Sequence, residues 1–596
     1  MSTQQTSRKI RIGGASGFYG DSQLSARQLV DDGNIDYLVF DYLAEITMAI
    51  LAKARSRNEK AGFAVDFVTV AMKDVLADCA QKGIKVIANA GGVNVPGCIA
   101  ALEQLCEESG LKLQVAGVYG DDLLARDDLP RKDMTEMQTG AALPDNIGSM
   151  NAYLGARPIA DALDAGADIV VTGRVVDSAV VLGPLMHEFG WAETDYKQLA
   201  QGSLCGHVIE CGAQCTGGNY TDWHTVPDFS RISYPVAEVS ADGSFVVSIT
   251  PNSGGLATVG SVAEQIVYEI GDPANYLLPD VACDFSQVKV EETAADEVRV
   301  SGADGRAPGK QYKVCATWRD GFQIKGVSIY GGPKAREKAQ VGYEAWVKRV
   351  RRYFDENAIA DFRAVNFEYM GAEHSYGPHA RSSACDTREV VAKYALHHDD
   401  PNALQFAANE MMYLGTSGAP GMYGLAGGRP RPSGFIQIHS ALVDKHLVSV
   451  TVQLGEKILH QKTYETQQSS PIAKYHFDID SVQAADDWVE VPLEKLVYAR
   501  SGDKGDNANI GVIARDRAFL PYIHTQLTAQ VVDDYFAHLV KGDVERFELP
   551  GFNAYNFYMT EALGGGGTAS LRSDSQGKSL AQQLLSLTVK VPPDLL

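Results

Sequence analysis

Across residues 1–226, short apolar runs alternate with stretches in which apolar residues recur at helical spacing. Ile10–Ile12, Tyr37–Phe40, Lys85–Ala88, Gln114–Val118 and Asp168–Val171 read as strands. Helices are predicted near Gln23–Val30, Ala44–Arg57, Asp66–Gln81, Pro96–Glu108 and Ser178–Phe189. Pro96 at one helix start and Gly33, Gly83 and Gly110 just past helix ends follow the usual asymmetry of helix termini. Alternation of this kind predicts an α/β fold, a parallel doubly wound sheet covered on both faces. The polar stretch Arg126–Ser149 interrupts it as an expected long loop or flap.

The pattern changes after Pro227. Val288–Val290, Glu297–Val300, Tyr312–Trp318 and Gln323–Tyr330 read as antiparallel strands joined by Gly-containing turns, and Glu337–Phe354 as a long helix. The polar stretch Gln467–Ala485 reads as a linker, and the remainder as a small α+β unit. The expected organisation is an α/β ligand-binding domain over 1–226, an α+β middle domain over 227–468 and a C-terminal domain over 489–596.

Chemistry gathers where the parallel strands end. GGASGFYGD follows the first, DYLAE the second, NAGGVN the third, GDD the fourth and TGRVVD the fifth. Open α/β sheets bind ligands outside the carboxyl ends of their strands, so these loops are expected to border one crevice. Asp41, Glu45, Asn89, Arg174 and Asp177 are candidate reacting or substrate-holding groups. Gly14, Ser16, Gly17, Gly92 and Gly173 are candidates for close backbone approach to a ligand. Glu210, in CGHVIECGAQCTGG, is a further candidate wall residue. His207, Cys211 and Cys215 in the same segment match no standard zinc spacing. Gly14, Gly17 and Gly20 with Asp41 also suit a nicotinamide dinucleotide, which keeps an NAD(P)-dependent oxidoreductase as an alternative. His379 and Arg381 in YGPHAR form a candidate anion clamp. Arg500, Ser501 and Lys504 in RSGDKGDNAN, with Gly566 and Thr568 in GGGGT, form a candidate anion-binding pair of loops.

Charge narrows the field of partners. With 53 basic and 75 acidic residues the 596-residue chain carries −22, which disfavours nucleic acid and anionic membrane as partners. Nine scattered Cys without a CxxC pair read as reduced, cytoplasmic usage. No apolar run reaches the ~18 residues of a membrane span, and MSTQQTSRKIRIGG has no signal-like apolar core.

Taken together, GGASGFYGD, DYLVFDYLAEITM, NAGGVN, VTGRVVDSAVVLGP, IECGAQCTGGNYTDW and VYARSGDKGDNANIGV resemble the acyclic terpene utilisation, AtuA-like, family over nearly the whole chain. The resemblance implies a main part fused to a ferredoxin-like C-terminal domain. It implies catabolism of citronellol- or geraniol-type acids as CoA thioesters, with coenzyme A as part of the substrate. The step implied is cleavage of a 3-hydroxy-3-alkylglutaryl-CoA, such as 3-hydroxy-3-isohexenylglutaryl-CoA, to a 3-oxoacyl-CoA and acetate. Such chemistry leaves room for a divalent metal, although the chain shows no clear metal constellation. A cytoplasmic homo-oligomer is expected. A non-catalytic acyl-CoA-binding or scaffold component of the pathway is a further alternative.

Overall fold

The computed structural model describes residues 8–426, 428–464, 472–483 and 485–596. Five parallel neighbours, Lys9–Gly14, Tyr37–Phe40, Lys85–Ala88, Ile169–Thr172 and Val115–Tyr119, occupy the centre of an 11-stranded sheet. Their side chains alternate between two cores, as a two-residue period requires. Tyr37, Val39, Ile87, Val170, Ala116 and Val118 face one core, where the helices Arg157–Asp164, Ala179–Phe189 and Tyr196–Ile209 pack. Leu38, Phe40, Val86, Ala88, Ile169 and Val171 face the other, beneath Ser25–Asp32, Glu45–Arg57, Lys73–Lys82 and Val95–Glu108. This is the doubly wound layer expected from the sequence.

Antiparallel strands widen the sheet on both sides. Val236–Ser240, Phe245–Ser248, Glu297–Ser301 and Lys289–Ala294 extend it beyond Lys9–Gly14. Val450–Leu454 and Lys457–Lys462 extend it beyond Val115–Tyr119. Strands from either side of residue 226 therefore share one sheet.

A second sheet is organised around Gln311–Gly331, a single strand of 21 residues. Tyr312–Trp318 and Gln323–Tyr330 are thus two halves of one strand rather than two strands of a hairpin. Gly321, with φ of +92°, marks an irregularity between Arg319 and Phe322, and the strand continues past it. Partners on both sides make this possible: Ser433–Asp444 and Glu389–His398 together pair along its length. The helix Ala335–Glu356 packs Tyr343, Trp346 and Phe354 onto this sheet, with Trp346 Nε1 donating to Ala407 O at 2.9 Å. The expected flap is pinned. Leu129 and Met134 are buried, and its end joins the strand Ile147–Ala152, which pairs with Gln311–Gly331.

The C-terminal unit is a four-stranded antiparallel sheet in the order Val497–Lys504, Asn507–Ala514, Ala554–Met559, Val544–Leu549, with helices Leu520–Gln526 and Ala529–Phe536. RSGDKGDNAN, read as a loop, is a β-hairpin: Lys504 faces Asn507 across the turn Gly505–Asp506, and Gly505 has φ of +66°. Residues 467–471 and 484 of the expected linker lie outside the described residues, and 472–483 form no regular element.

The helix Val259–Ile266 and the segment behind it form the seam between the two parts. Carbonyls left open at this helix end are met by the C-terminal sheet. Asn509 Nδ2 donates to Val267 O at 2.7 Å, and Asn556 Nδ2 donates to Ile270 O at 2.9 Å. Arg500 pairs with Glu264 at 2.9 Å and Arg515 with Asp222 at 2.6 Å.

Candidate functional site

Adjacent parallel strands end side by side, so the first residues after them must meet. Asp41 follows Phe40 and Asn89 follows Ala88, and Asn89 Nδ2 donates to Asp41 Oδ1 at 2.5 Å. Asn89 Oδ1 accepts from the Tyr42 amide at 2.7 Å, which fixes the carboxamide orientation. Ser16 Oγ donates to Asp41 O at 3.0 Å. Arg174, two residues past its strand, donates through Nη1 to Leu43 O at 2.5 Å and to Asp177 at 2.7 Å. Its amide donates to Asp121 Oδ2 at 2.8 Å, and Asn151 Nδ2 holds the same oxygen at 2.8 Å. The loops that follow the parallel strands therefore meet, and they bring Asp41, Glu45, Asn89, Arg174 and Asp177 into one charged cluster.

The second sheet and the C-terminal hairpin complete the wall. Tyr153 donates to Glu45 Oε1 at 2.6 Å, and Lys313 reaches the same oxygen at 3.1 Å. Two cations lie over the Tyr153 ring, Arg174 at 4.0 Å and Lys313 at 4.9 Å from its centroid. Lys504, at the hairpin tip, pairs with Glu269 at 2.7 Å. Lys578 joins Glu269 at 2.9 Å and Asp503 at 3.2 Å. Deeper in, His207 Nε2 donates to Ile266 O at 3.2 Å, while Nδ1 faces Glu210 Oε1 at 3.0 Å. Glu45, Asp177 and Lys504 keep 24%, 29% and 42% of their side chains exposed, so this side of the cluster reaches solvent.

Electrostatics separates these groups into distinct states. Burial pushes the Asp41 carboxyl well up, and the charges of Asp177 and Glu210 add to it against Arg174 and Asn89. For Glu45 burial also acts upward, but Lys313, Arg174 and Lys504 outweigh it and hold the carboxylate well below its ordinary range. Burial opposes the charge on Arg174 and on Lys504. Asp177, Tyr153 and Glu45 keep the guanidinium charged, and Glu269, Tyr276 and Asp177 keep the ammonium charged. Burial raises Glu210, and Glu210 in turn raises His207 against burial. The cluster thus sets a carboxylate whose ionised form is favoured beside a carboxyl whose protonated form is favoured, with two cations and a His–Glu pair around them.

Several predicted ligand-binding residues are committed to the protein itself. A Cβ on Gly14 would lie 2.7 Å from Ile209 O and one on Gly17 would lie 2.8 Å from the Cys211 carbonyl carbon, so these glycines admit the chain's own 209–211 segment. Gly92, with φ of +54°, packs under Leu51. Gly173 leaves room for Asp121, whose carboxylate would be 2.3 Å from a Cβ there. His379 and Arg381 are not brought to the crevice: His379 stacks on Tyr535 at 4.2 Å, and Arg381 is exposed and paired with Glu373. Arg500 is engaged by Glu264, Gln214 and Gly218, and Ser501 donates to Gly577 O at 2.6 Å. Thr568 donates to Ile436 O, and Gly566 sits against Gly505 O. The residues that sequence reasoning did not single out are Tyr153, Lys313, Glu269 and Lys578. Asp121 stood in the GDD loop but was not named as a partner of Arg174. Among the described residues, no group of three or more His, Cys, Asp or Glu side chains is arranged to hold a metal ion.

Fold and site define a doubly wound α/β protein whose charged crevice, at the strand ends, is completed by an appended small α+β domain. The chain belongs to the acyclic terpene utilisation family AtuA, whose sequence model matches residues 10–454, and residues 491–590 match the AtuA ferredoxin-like domain. No curated protein matches the chain. Family membership points to a part in acyclic terpene utilisation. Among the described residues no helix is long and apolar enough to cross a membrane.

Proposed function

We propose that the protein is an enzyme that cleaves a carbon–carbon bond in a branched 3-hydroxyacyl-CoA bearing a free carboxylate, with 3-hydroxy-3-isohexenylglutaryl-CoA as its substrate and a 3-oxoacyl-CoA and acetate as products. One observation carries this reading. Arg174 is only 2% exposed, its described hydrogen bonds use Nη1 alone, and its buried Nε has no partner. A buried guanidinium with open donors fits a carboxylate.

The chemistry assigns the remaining groups. The His207–Glu210 pair takes the proton of the tertiary hydroxyl. The hydroxyl oxygen becomes the ketone as the bond to the carboxymethyl carbon breaks, and the electron pair passes to that carbon as an enediolate. Arg174, with Lys313 and Lys504 behind it, offsets the second negative charge on the departing carboxylate. Asp41, whose protonated form its buried and acidic surroundings favour, delivers a proton to the carbon and releases acetate. Asp41 and Glu210 act on each other electrostatically, and proton return between them restores the starting state.

The dinucleotide alternative has less support, because Gly14 and Gly17 are filled by the 209–211 backbone rather than left open for a phosphate. The test is acetate release from synthetic 3-hydroxy-3-alkylglutaryl-CoA by the purified chain. Binding of the thioester without acetate would overturn the enzyme reading and favour a non-catalytic acyl-CoA carrier.

A further inference from the structure

A second cavity shares no lining residue with the crevice. About 160 Å³ in volume and partly open, it is lined by Pro158, Met186, Leu199, Pro279, Tyr312 and Tyr464, with the charged side chains Lys445, Asp280, Arg157 and Glu193 also in its wall. Its size is close to that of an engineered apolar cavity that takes up benzene.

Lys445 is unusual in this setting. The residue is 2% exposed, its Nζ donates to Pro279 O at 2.6 Å, and it lies over the Tyr312 ring at 5.4 Å from the centroid. No carboxylate lies within ion-pair distance of it among the described residues. An ammonium has three donors to satisfy, whereas a neutral amine bonded to one carbonyl keeps a lone pair free for the cavity. Burial draws this amine down to about 8, with Asp280 acting in the opposite direction. Asp280 accepts from the Ala156 amide at 2.9 Å, and burial raises its carboxyl, which favours the protonated form at the same cavity wall. The Tyr464 hydroxyl is buried without a partner. An amine, a carboxyl and an open hydroxyl therefore share one small pocket.

We propose that this cavity is a second small-molecule site, taking an apolar aldehyde or ketone about the size of benzene that condenses with the Lys445 amine. The Nζ lone pair forms the C–N bond as the carbonyl π electrons move to oxygen, which takes a proton from Asp280. Nitrogen then gives up one proton to the Asp280 carboxylate. The carbinolamine hydroxyl then leaves as water, taking that proton back from Asp280 as its C–O bond breaks, and the nitrogen lone pair closes the C=N bond. The result is a protonated imine beside the Asp280 carboxylate. Tyr464 donates to the carbonyl oxygen before condensation. The proposal stands apart from the crevice chemistry and does not depend on it.

The test is reductive trapping. The full chain is incubated with 3-methylbutanal and sodium cyanoborohydride at pH 7.5, and each lysine is scored by peptide mass mapping. A pKa near 8 leaves on the order of 100-fold more neutral amine than an ordinary lysine has, so modification of Lys445 at least ~10-fold faster than the median lysine is expected. Asp280→Asn is expected to slow that modification several-fold while the other lysines label at the parental rate. Labelling of Lys445 at or below the median rate would overturn the proposal. So would a Lys445 rate unchanged by Asp280→Asn in a variant with the parental unfolding temperature. Should that variant not fold, protection of Lys445 from trapping by excess cyclohexanone, without protection of surface lysines, supports the site, and equal effects on all lysines overturn it.

Discussion

Individual side chains in the crevice are tuned by what surrounds them rather than by their own chemistry. Asp41 and Glu45 are four positions apart, yet the first is pushed up by burial and like charges and the second is held down by three cations. Asp41→Asn copies the shape of the protonated acid but cannot give up a proton. It is expected to bind the thioester as the parent does while lowering kcat by ~100-fold or more, as measured by acetate release. Unchanged turnover would remove Asp41 from the mechanism. Asp121 makes a stability prediction. Burial raises its carboxyl to about 7, above its unfolded value, so the folded state holds a proton that the unfolded state has already lost. Its contribution is full below about pH 4 and is lost as pH rises toward 7. Asp121→Asn, which has no such proton, is expected to flatten the fall in unfolding free energy between pH 4 and 7 by on the order of 3 kcal/mol. Parallel pH profiles for parent and variant in urea titrations would show the assignment to be wrong.

Among elements, the hairpin Val497–Lys504/Asn507–Ala514 does what neither of its strands does alone: it docks through one face and projects Lys504 from its tip. Docking depends on closeness. A Cβ on Gly511 would lie 2.0 Å from Val267 Cγ2, so strand and helix end approach to a distance only glycine permits. Gly511→Val has better strand propensity, so the C-terminal sheet itself should persist while its seam opens. The expected calorimetric result is an unfolding profile that divides into two transitions, with loss of acetate release. A single transition at the parental temperature would mean that the seam tolerates the change.

For the molecule as a whole, the seam is held by buried charge. Glu264 is fully buried and Arg500 is its cation, so removing Arg500 alone strands a carboxylate. Arg500→Met is expected to cost about 3–5 kcal/mol of unfolding free energy, and the double change Arg500→Met with Glu264→Met to recover most of it. Equal destabilisation by the single and double variants would show that packing, not charge, sets the cost. The main part and the C-terminal part, expressed as separate chains divided between residues 464 and 472, are expected to lack activity singly and regain it on mixing. The reason is that Lys504 enters the crevice from the second chain. Full activity of the main part alone would exclude that role.

What the sequence determined by itself is the doubly wound layer and the identity of the groups at its strand ends. The short apolar runs Tyr37–Phe40, Lys85–Ala88 and Ile169–Thr172 are local signals, and parallel neighbours must present Asp41, Asn89 and Arg174 together once those strands pair. The seam, the opposite wall and the commitments of Arg500, His379 and Arg381 were decided only by the tertiary structure. Lys313 sits in a strand whose pattern signals burial and nothing more, and it meets Glu45 across 268 positions of chain. Lys504 enters the crevice because carbonyls at the end of Val259–Ile266 accept from Asn509 and the strand carrying Asn556, contacts that close loops of more than 240 residues. Periodicity encodes which face of an element is buried. It carries no record of which distant surface will cover that face, because the choice rests on shape and charge matched over many weak contacts at once.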